Sequence, residues 1–222
     1  MALTKYNYNS FDVTPVASKA MGFNSSADGL TSISPSSMVL IKTLTASSSS
    51  TLSFVDGTSD VVLDNTYPIY KFVFINIHGA TDDKKFMFQA NAAGGSGYNE
   101  TITTTNFQAY HIENDSNQGL GYNTGYDNAQ TTDFQELSGP LTNANDGSAS
   151  GELYIFNPSS TTFVKHFMAR MNGMEAGTTK VSTQLYTAGY FNTTSAIDEF
   201  QFKMDSGNID SGTIKLYGIK DS

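Results

Sequence analysis

From Met38 onward, short apolar runs alternate with clusters of Gly, Asn, Asp and Ser. This alternation is the strand-and-turn pattern of all-β proteins, and it predicts about eight to ten strands. No segment of ten or more residues sustains an apolar stripe with a 3.6-residue period, which argues against a parallel α/β sheet. The pattern therefore predicts an all-β fold, an antiparallel two-sheet, jelly-roll-like β-sandwich over residues 38–222. A shorter Greek-key sandwich is the alternative.

Two predicted strands differ in how they should be buried. Residues 70–78 carry apolar side chains on both faces, so we expect this strand in the centre of a sheet. Residues 197–204 alternate instead, with Phe200, Phe202 and Met204 on one side and polar side chains on the other. Such alternation is typical of a strand with one face on the core and one face in water.

The spacing of turn residues suggests which strands pair. Long antiparallel partners are expected at residues 163–171 and 180–191. Three further hairpins are predicted between sequence neighbours: 38–44 with 51–55, 85–90 with 101–110, and 197–204 with 213–219. In the last of these, Gly218 should permit close approach of another backbone.

The first 37 residues lack a sustained periodic pattern and are rich in Ser, Asn, Thr and Ala. They predict an extended N-terminal arm, because spaced apolar residues can order such a segment by burying area on a neighbouring subunit. The expected anchors of this arm are Tyr6, Tyr8, Phe11, Val13 and Phe23.

A polar segment at residues 113–150 is longer than an ordinary connection, and such loops are usually functional. Its tyrosines could stack against sugars or contact a partner protein, or they could pin the loop onto the sandwich. The candidate ligand-binding residues of this loop are Tyr122, Asn123, Tyr126 and Asp127.

Composition and charge narrow the classes of partner. The 222-residue chain has a formal net charge of −9 with 12 Lys and Arg, which argues against nucleic-acid binding because phosphate contacts require cations. No stretch approaches 18 consecutive apolar residues, so we expect no membrane insertion, and the N-terminus lacks the pattern of a signal peptide. The absence of cysteine excludes disulfides and thiolate metal sites.

The sequence predicts no catalytic residue, no cofactor and no metal site. His78, His111 and His166 are too far apart for a local metal motif, and no Gly-x-Ser-x-Gly elbow is present. A calcium site is an alternative at residues 115–119, although Tyr126 stands where the loop's last acidic ligand is expected. A polysaccharide-degrading enzyme would need paired carboxylates, for which the loop offers Glu113, Asp115, Asp127 and Glu136.

Two stretches carry a resemblance to a known class of proteins. They are Lys5–Val13 (KYNYNSFDV) and Asp205–Ile219 (DSGNIDSGTIKLYGI). They resemble virion structural proteins of tailed bacteriophages, particularly marine phages, of the tail-fibre, appendage or decoration type. The resemblance covers about a tenth of the chain and matches no active-site motif.

This resemblance implies a protein of the virion, made in the host cytoplasm and repeated around a symmetry axis. The implied partners are further copies in a homotrimer, other virion proteins and a host-surface glycan. A tail-fibre, appendage or adaptor component is the leading hypothesis. The alternatives are a capsid decoration protein, which would bridge capsomers with the same arm and clamp them with the same domain, and a carbohydrate-binding, lectin-like module.

Overall fold

The computed structural model describes residues 20–23, 26, 30–33 and 37–221. Within these residues the secondary structure is entirely β, as the sequence predicts. The strands are β1 (Ala20–Phe23), β2 (Leu30–Ile33), β3 (Met38–Thr45), β4 (Leu52–Val55), β5 (Ile69–Gly79), β6 (Phe86–Ala92), β7 (Ile102–Ile112), β8 (Gln118–Tyr122), β9 (Ala129–Thr131), β10 (Gln135–Glu136), β11 (Ala149–Phe156), β12 (Lys165–Glu175), β13 (Val181–Phe191), β14 (Ile197–Met204) and β15 (Ile209–Ile219).

The strands from β3 onward form two antiparallel sheets. The smaller sheet has the order β10-β6-β14-β4, and the larger one has the order β3-β15-β5-β11-β12-β13-β7-β8, with β9 also paired to β7. The prediction of an antiparallel two-sheet sandwich is confirmed. Strand β5 lies inside the larger sheet, between β15 and β11, as its two apolar faces predict.

The core between the two sheets is built from aromatic side chains, with Phe202 of β14 at its centre. Phe202 is fully buried, and five phenylalanine rings from both sheets lie within 5.0 to 6.2 Å of its ring centroid. These five are Phe54, Phe72, Phe74, Phe86 and Phe88. Most of the contacts are edge to face, the geometry that ring quadrupoles favour, so the aromatic content of the chain holds the sheets together.

Of the predicted strand pairs, only one forms. Strands β12 and β13 pair along their full length, as expected for residues 163–171 and 180–191. The three other predicted hairpins are wrong, because β3, β7 and β15 lie in the larger sheet while β4, β6 and β14 lie in the smaller one. At each of these turns the chain crosses the core to the opposite sheet. The prediction for Gly218 is wrong as well, because this residue packs under the ring of Tyr67 and not against another backbone.

The segment 113–150 is not a single loop, since it contains β8, β9 and β10 and the first residues of β11. These strands escape a search for apolar alternation because β8 and β9 bury no residue fully and the buried side chain of β10 is polar. Gln135 of β10 is fully buried, and its Oε1 accepts hydrogen bonds from Thr104 Oγ1 at 2.7 Å and Asn128 Nδ2 at 2.9 Å. Amide networks replace an apolar core at this end of the sandwich.

The predicted arm falls largely outside the described residues. Tyr6, Tyr8, Phe11 and Val13 are not among them. Phe23 is the last residue of β1, which pairs with β2 in a short antiparallel ribbon. The docking role of the arm stays a prediction.

Candidate interaction surfaces

One face of the larger sheet points away from the smaller sheet and is called the outer face below. Directly paired residues of antiparallel strands share a face, so the register defines its members. One row across the sheet consists of Leu40, Tyr217, Lys71, Tyr154 and Met168. A neighbouring row consists of Lys215, Val73, Glu152, Arg170, Tyr186, Phe107 and Tyr122.

The outer face collects nearly all the large apolar side chains that stay exposed in the described part of the chain. Seven of the eight lie on it: Met38, Leu40, Ile75, Phe107, Leu120, Tyr122 and Met168. The eighth, Phe163, lies in the connection before β12. Isolated apolar side chains are normal on protein surfaces, but a shared face of this kind marks an interaction site.

Several aromatic side chains of the outer face are held in place by their neighbours. The ring of Phe107 stacks on that of Tyr186 at a centroid distance of 4.7 Å and an interplanar angle of 7°. Lys71 Nζ lies 4.8 Å from the centroid of the Tyr154 ring. A surface whose side chains are ordered before binding loses less conformational entropy when a partner covers it.

The charges on the outer face are mostly positive, in contrast to the acidic chain. Lys71 Nζ lies 2.7 Å from Glu152 Oε2, and Arg170 Nη2 lies 3.3 Å from Glu152 Oε1. Lys215 belongs to the same row. Glu152 is therefore one carboxylate among three cations, and the hydrogen bond from Lys71 lowers its pKa below the usual value of a glutamate.

Replacing Glu152 by Gln is expected to lower the free energy of unfolding at neutral pH by about 1 kcal/mol, because the ion pairs are only partly buried. The pKa of Glu152 is lower in the folded than in the unfolded state. Its contribution is therefore present above the unfolded value of about 4.3 and is lost as the pH falls through the folded value. Urea unfolding between pH 7 and 3 checks this. A Glu152→Gln stability difference that stays constant over that range would contradict it.

The candidate ligand-binding residues predicted from the sequence do not form a single site in the structure. Tyr122 lies on the outer face, and its hydroxyl donates a 2.6 Å hydrogen bond to Asp127 Oδ2. Tyr126 and Asp127 line a cavity of about 490 Å³ beside the smaller sheet. Asn123 is engaged within the protein, because its Nδ2 donates to Gln108 Oε1 at 2.9 Å and its Oδ1 accepts from Gly125 N at 3.0 Å.

The cavity carries more carboxylates than ammonium groups and is called the acidic cavity below. Its charged lining consists of Asp127, Asp133, Glu136, Asp205 and Lys203. A lysine ammonium group lies over each of its two aromatic rings. Lys203 Nζ lies 4.0 Å from the centroid of the Phe134 ring, and Lys85 Nζ lies 4.5 Å from the centroid of the Tyr126 ring. The excess of carboxylates favours a positively charged partner group.

The remaining sequence candidates do not converge. His78 lies beside Asp210, His111 beside Asp115, and the ring of His166 contacts that of Tyr190. The run at residues 115–119, the alternative calcium site, begins in the β7–β8 turn, where Asp115 Oδ1 lies 3.0 Å from His111 Nε2. Among the described residues, no three His, Asp or Glu side chains are placed to hold a metal ion. Within the same residues, no helix long and apolar enough to cross a membrane is found.

Sequence reasoning missed the Lys71–Glu152–Arg170 network and the contribution of Lys203 and Asp205 to the acidic cavity. The alternation in β11 and β12 could have placed Glu152 and Arg170 on the solvent side of their strands. It could not have placed them beside Lys71, since that requires the strand order.

Comparisons with known proteins do not indicate a function for this chain, so its function is inferred mainly from the geometry of the outer face and the acidic cavity. The chain matches no family model, and no characterised protein or solved structure shows significant similarity to it.

Proposed function

We propose that this protein is a structural component of a bacteriophage particle, of the tail-fibre, appendage or adaptor type, and that it acts through protein–protein contacts. The observation that carries the proposal is the outer face, where seven large apolar side chains stay exposed on one sheet surface. Surfaces of this kind are covered by partners in stable assemblies.

The strand order supports a jelly-roll interpretation of the sandwich. Eight of the strands fall into two groups of four, β3-β15-β5-β11 and β4-β14-β6-β10. A double-sheet jelly roll also divides eight strands into two sheets of four, and viral structural proteins and lectins alike use that fold. Strands β12, β13, β7 and β8 extend the larger sheet beyond these eight strands, and this extension carries Met168, Phe107 and Tyr122 of the outer face.

A capsid decoration protein is the alternative within the same class, and copy number separates the two. Closed point groups fix the number of copies, so decoration implies roughly hundreds of copies per particle and a tail appendage roughly tens or fewer. Quantitative mass spectrometry of purified particles measures this number. Absence of the protein from particles would contradict both forms of the proposal.

The outer face is tested by placing a charge at its centre. Met168→Asp is expected to lower incorporation of the protein into particles at least about tenfold, because a carboxylate that a partner covers loses its hydration. Phe163→Asp is the matched control, since Phe163 is at least as exposed but lies off the outer face. Equal incorporation of the two variants, both folded by circular dichroism, would contradict a role for this face.

A further inference from the structure

We infer that the outer face of one copy binds the surface around the acidic cavity of a second copy, in a head-to-tail contact centred on Arg170. The inference rests on the proposed function, because it names the partner of the same face.

The size of the outer face fits a protein partner. Eight strands spaced about 4.8 Å apart span about 34 Å, and about seven residues along each strand span about 23 Å. The resulting area of about 800 Å² is what each partner buries in an interface of standard size. A small ligand would leave most of the exposed apolar side chains uncovered.

The charges on the outer face argue against a symmetric contact of the face with itself. In a two-fold dimer the same patch occurs on both sides of the interface. Two copies of the outer face would then bring six cations together with two carboxylates, since each copy contributes Lys71, Arg170 and Lys215 against Glu152. Like charges facing each other disfavour such a dimer, so the partner surface should be acidic.

The acidic cavity supplies a surface of the required charge on the same molecule. It is lined by four carboxylates and one lysine, and Lys85 pairs with one of the carboxylates, Glu136, at 2.9 Å, so carboxylates still outnumber ammonium groups. Met87 and Lys203, which also line it, are paired on β6 and β14 next to the core pair Phe88 and Phe202, and they point away from the core. Part of the cavity wall thus lies on the outer side of the smaller sheet, and the cavity reaches the outer face at Asp127, which accepts a hydrogen bond from Tyr122.

Arg170 is the cation best placed to enter the acidic cavity. It is the only arginine of the chain, and its side chain is 56% exposed. One guanidinium nitrogen approaches Glu152, which leaves further N–H donors for a second carboxylate. Asp133 is an exposed carboxylate of the cavity lining and is the natural partner to test. Because the two surfaces differ, the contact either closes into a ring of copies or propagates.

The test is the association state of the purified full-length protein by light scattering at about 100 µM, in low and high salt. Wild type is expected to be oligomeric and to dissociate partly in high salt, since exposed charge pairs are screened. Arg170→Glu alone and Asp133→Arg alone are each expected to be monomeric, because each places like charges across the contact. Lys220→Glu, a charge reversal off the outer face, is expected to stay oligomeric.

Mixing the Arg170→Glu and Asp133→Arg variants tests directly whether the outer face binds the acidic cavity. Each variant keeps the surface that the other has lost, and the two altered surfaces also carry opposite charges. The mixture is therefore expected to associate, with an apparent affinity at least about tenfold above that of either variant alone. A folded mixture that stays monomeric overturns the inference, as does a monomeric wild type or an unaffected Arg170→Glu variant.

The outcomes also separate this inference from the proposed function. A protein that is monomeric in solution but present in particles would leave the virion role standing and remove the head-to-tail contact. A protein that associates head to tail but is absent from particles would do the reverse. Arg170→Gln removes the charge without adding a carboxylate beside Glu152, so it tests the contact even if Arg170→Glu fails to fold. It should weaken association at least about threefold.

Discussion

Phe202→Ala is expected to lower the free energy of unfolding by about 3–5 kcal/mol, the usual cost of removing a buried phenylalanine ring. Phe202 is fully buried and contacts five phenylalanine rings from both sheets. Those rings are fixed by their own strands, so they cannot collapse into the space that the ring leaves. Urea unfolding followed by circular dichroism measures the loss as a shift of the transition midpoint.

Phe163→Ala provides the matched control for this change. Phe163 is 68% exposed, so the same truncation removes little buried area and should cost less than about 1 kcal/mol. If the two variants unfolded at the same urea concentration, the aromatic cluster would not be the centre of the core.

Gly151→Val is expected to destabilise the protein by at least about 3 kcal/mol through overpacking in the middle of the larger sheet. A Cβ atom at this position would lie against the carbonyl oxygen of Arg170 and 2.8 Å from Met171 Cα. Both of these are backbone atoms of the paired strand β12, so β11 and β12 would have to separate. For a chain of this length the expected fall in Tm is about 6–12 °C.

Gly121→Val is the control for the glycine substitution. Gly121 lies in strand β8 of the same sheet, and no atom lies within 4 Å of the position that a Cβ would take. Valine is favoured in strands, so its Tm should change by less than about 3 °C. A fall as large as that of Gly151→Val would show that glycine flexibility matters here more than close packing.

The sequence predicts where strands lie better than it predicts how they pair. Alternation in residues 197–204 correctly places Phe200, Phe202 and Met204 in the core, because burial is decided residue by residue. Strand pairing depends instead on which of the two sheets each strand joins, and that choice depends on contacts between residues far apart in the sequence. The turn at residues 205–208 has the composition of a hairpin, yet β14 and β15 enter different sheets. Local turn chemistry permits both outcomes.

The difference between local pattern and strand pairing also explains how much of the candidate site could be predicted from the sequence. Tyr122 and Asp127, which are close in sequence, are also close in space, and a hydrogen bond joins them. The opposite wall of the acidic cavity comes from Lys203 and Asp205, far along the chain, and no motif connects it to the loop. The outer face is likewise invisible without the strand order, because its residues are neighbours only across strands.

The position of β15 has a consequence for the synthesis of the chain. This strand lies between β3 and β5, where Thr213 pairs with both Thr45 and Ile75. Until β15 leaves the ribosome, β3 has no partner among the described strands of its sheet, and one edge of β5 is unpaired. Folding dominated by such distant pairings is slow. The nascent chain therefore passes through a stage with open strand edges, and such edges can pair with other chains and aggregate until β15 covers them.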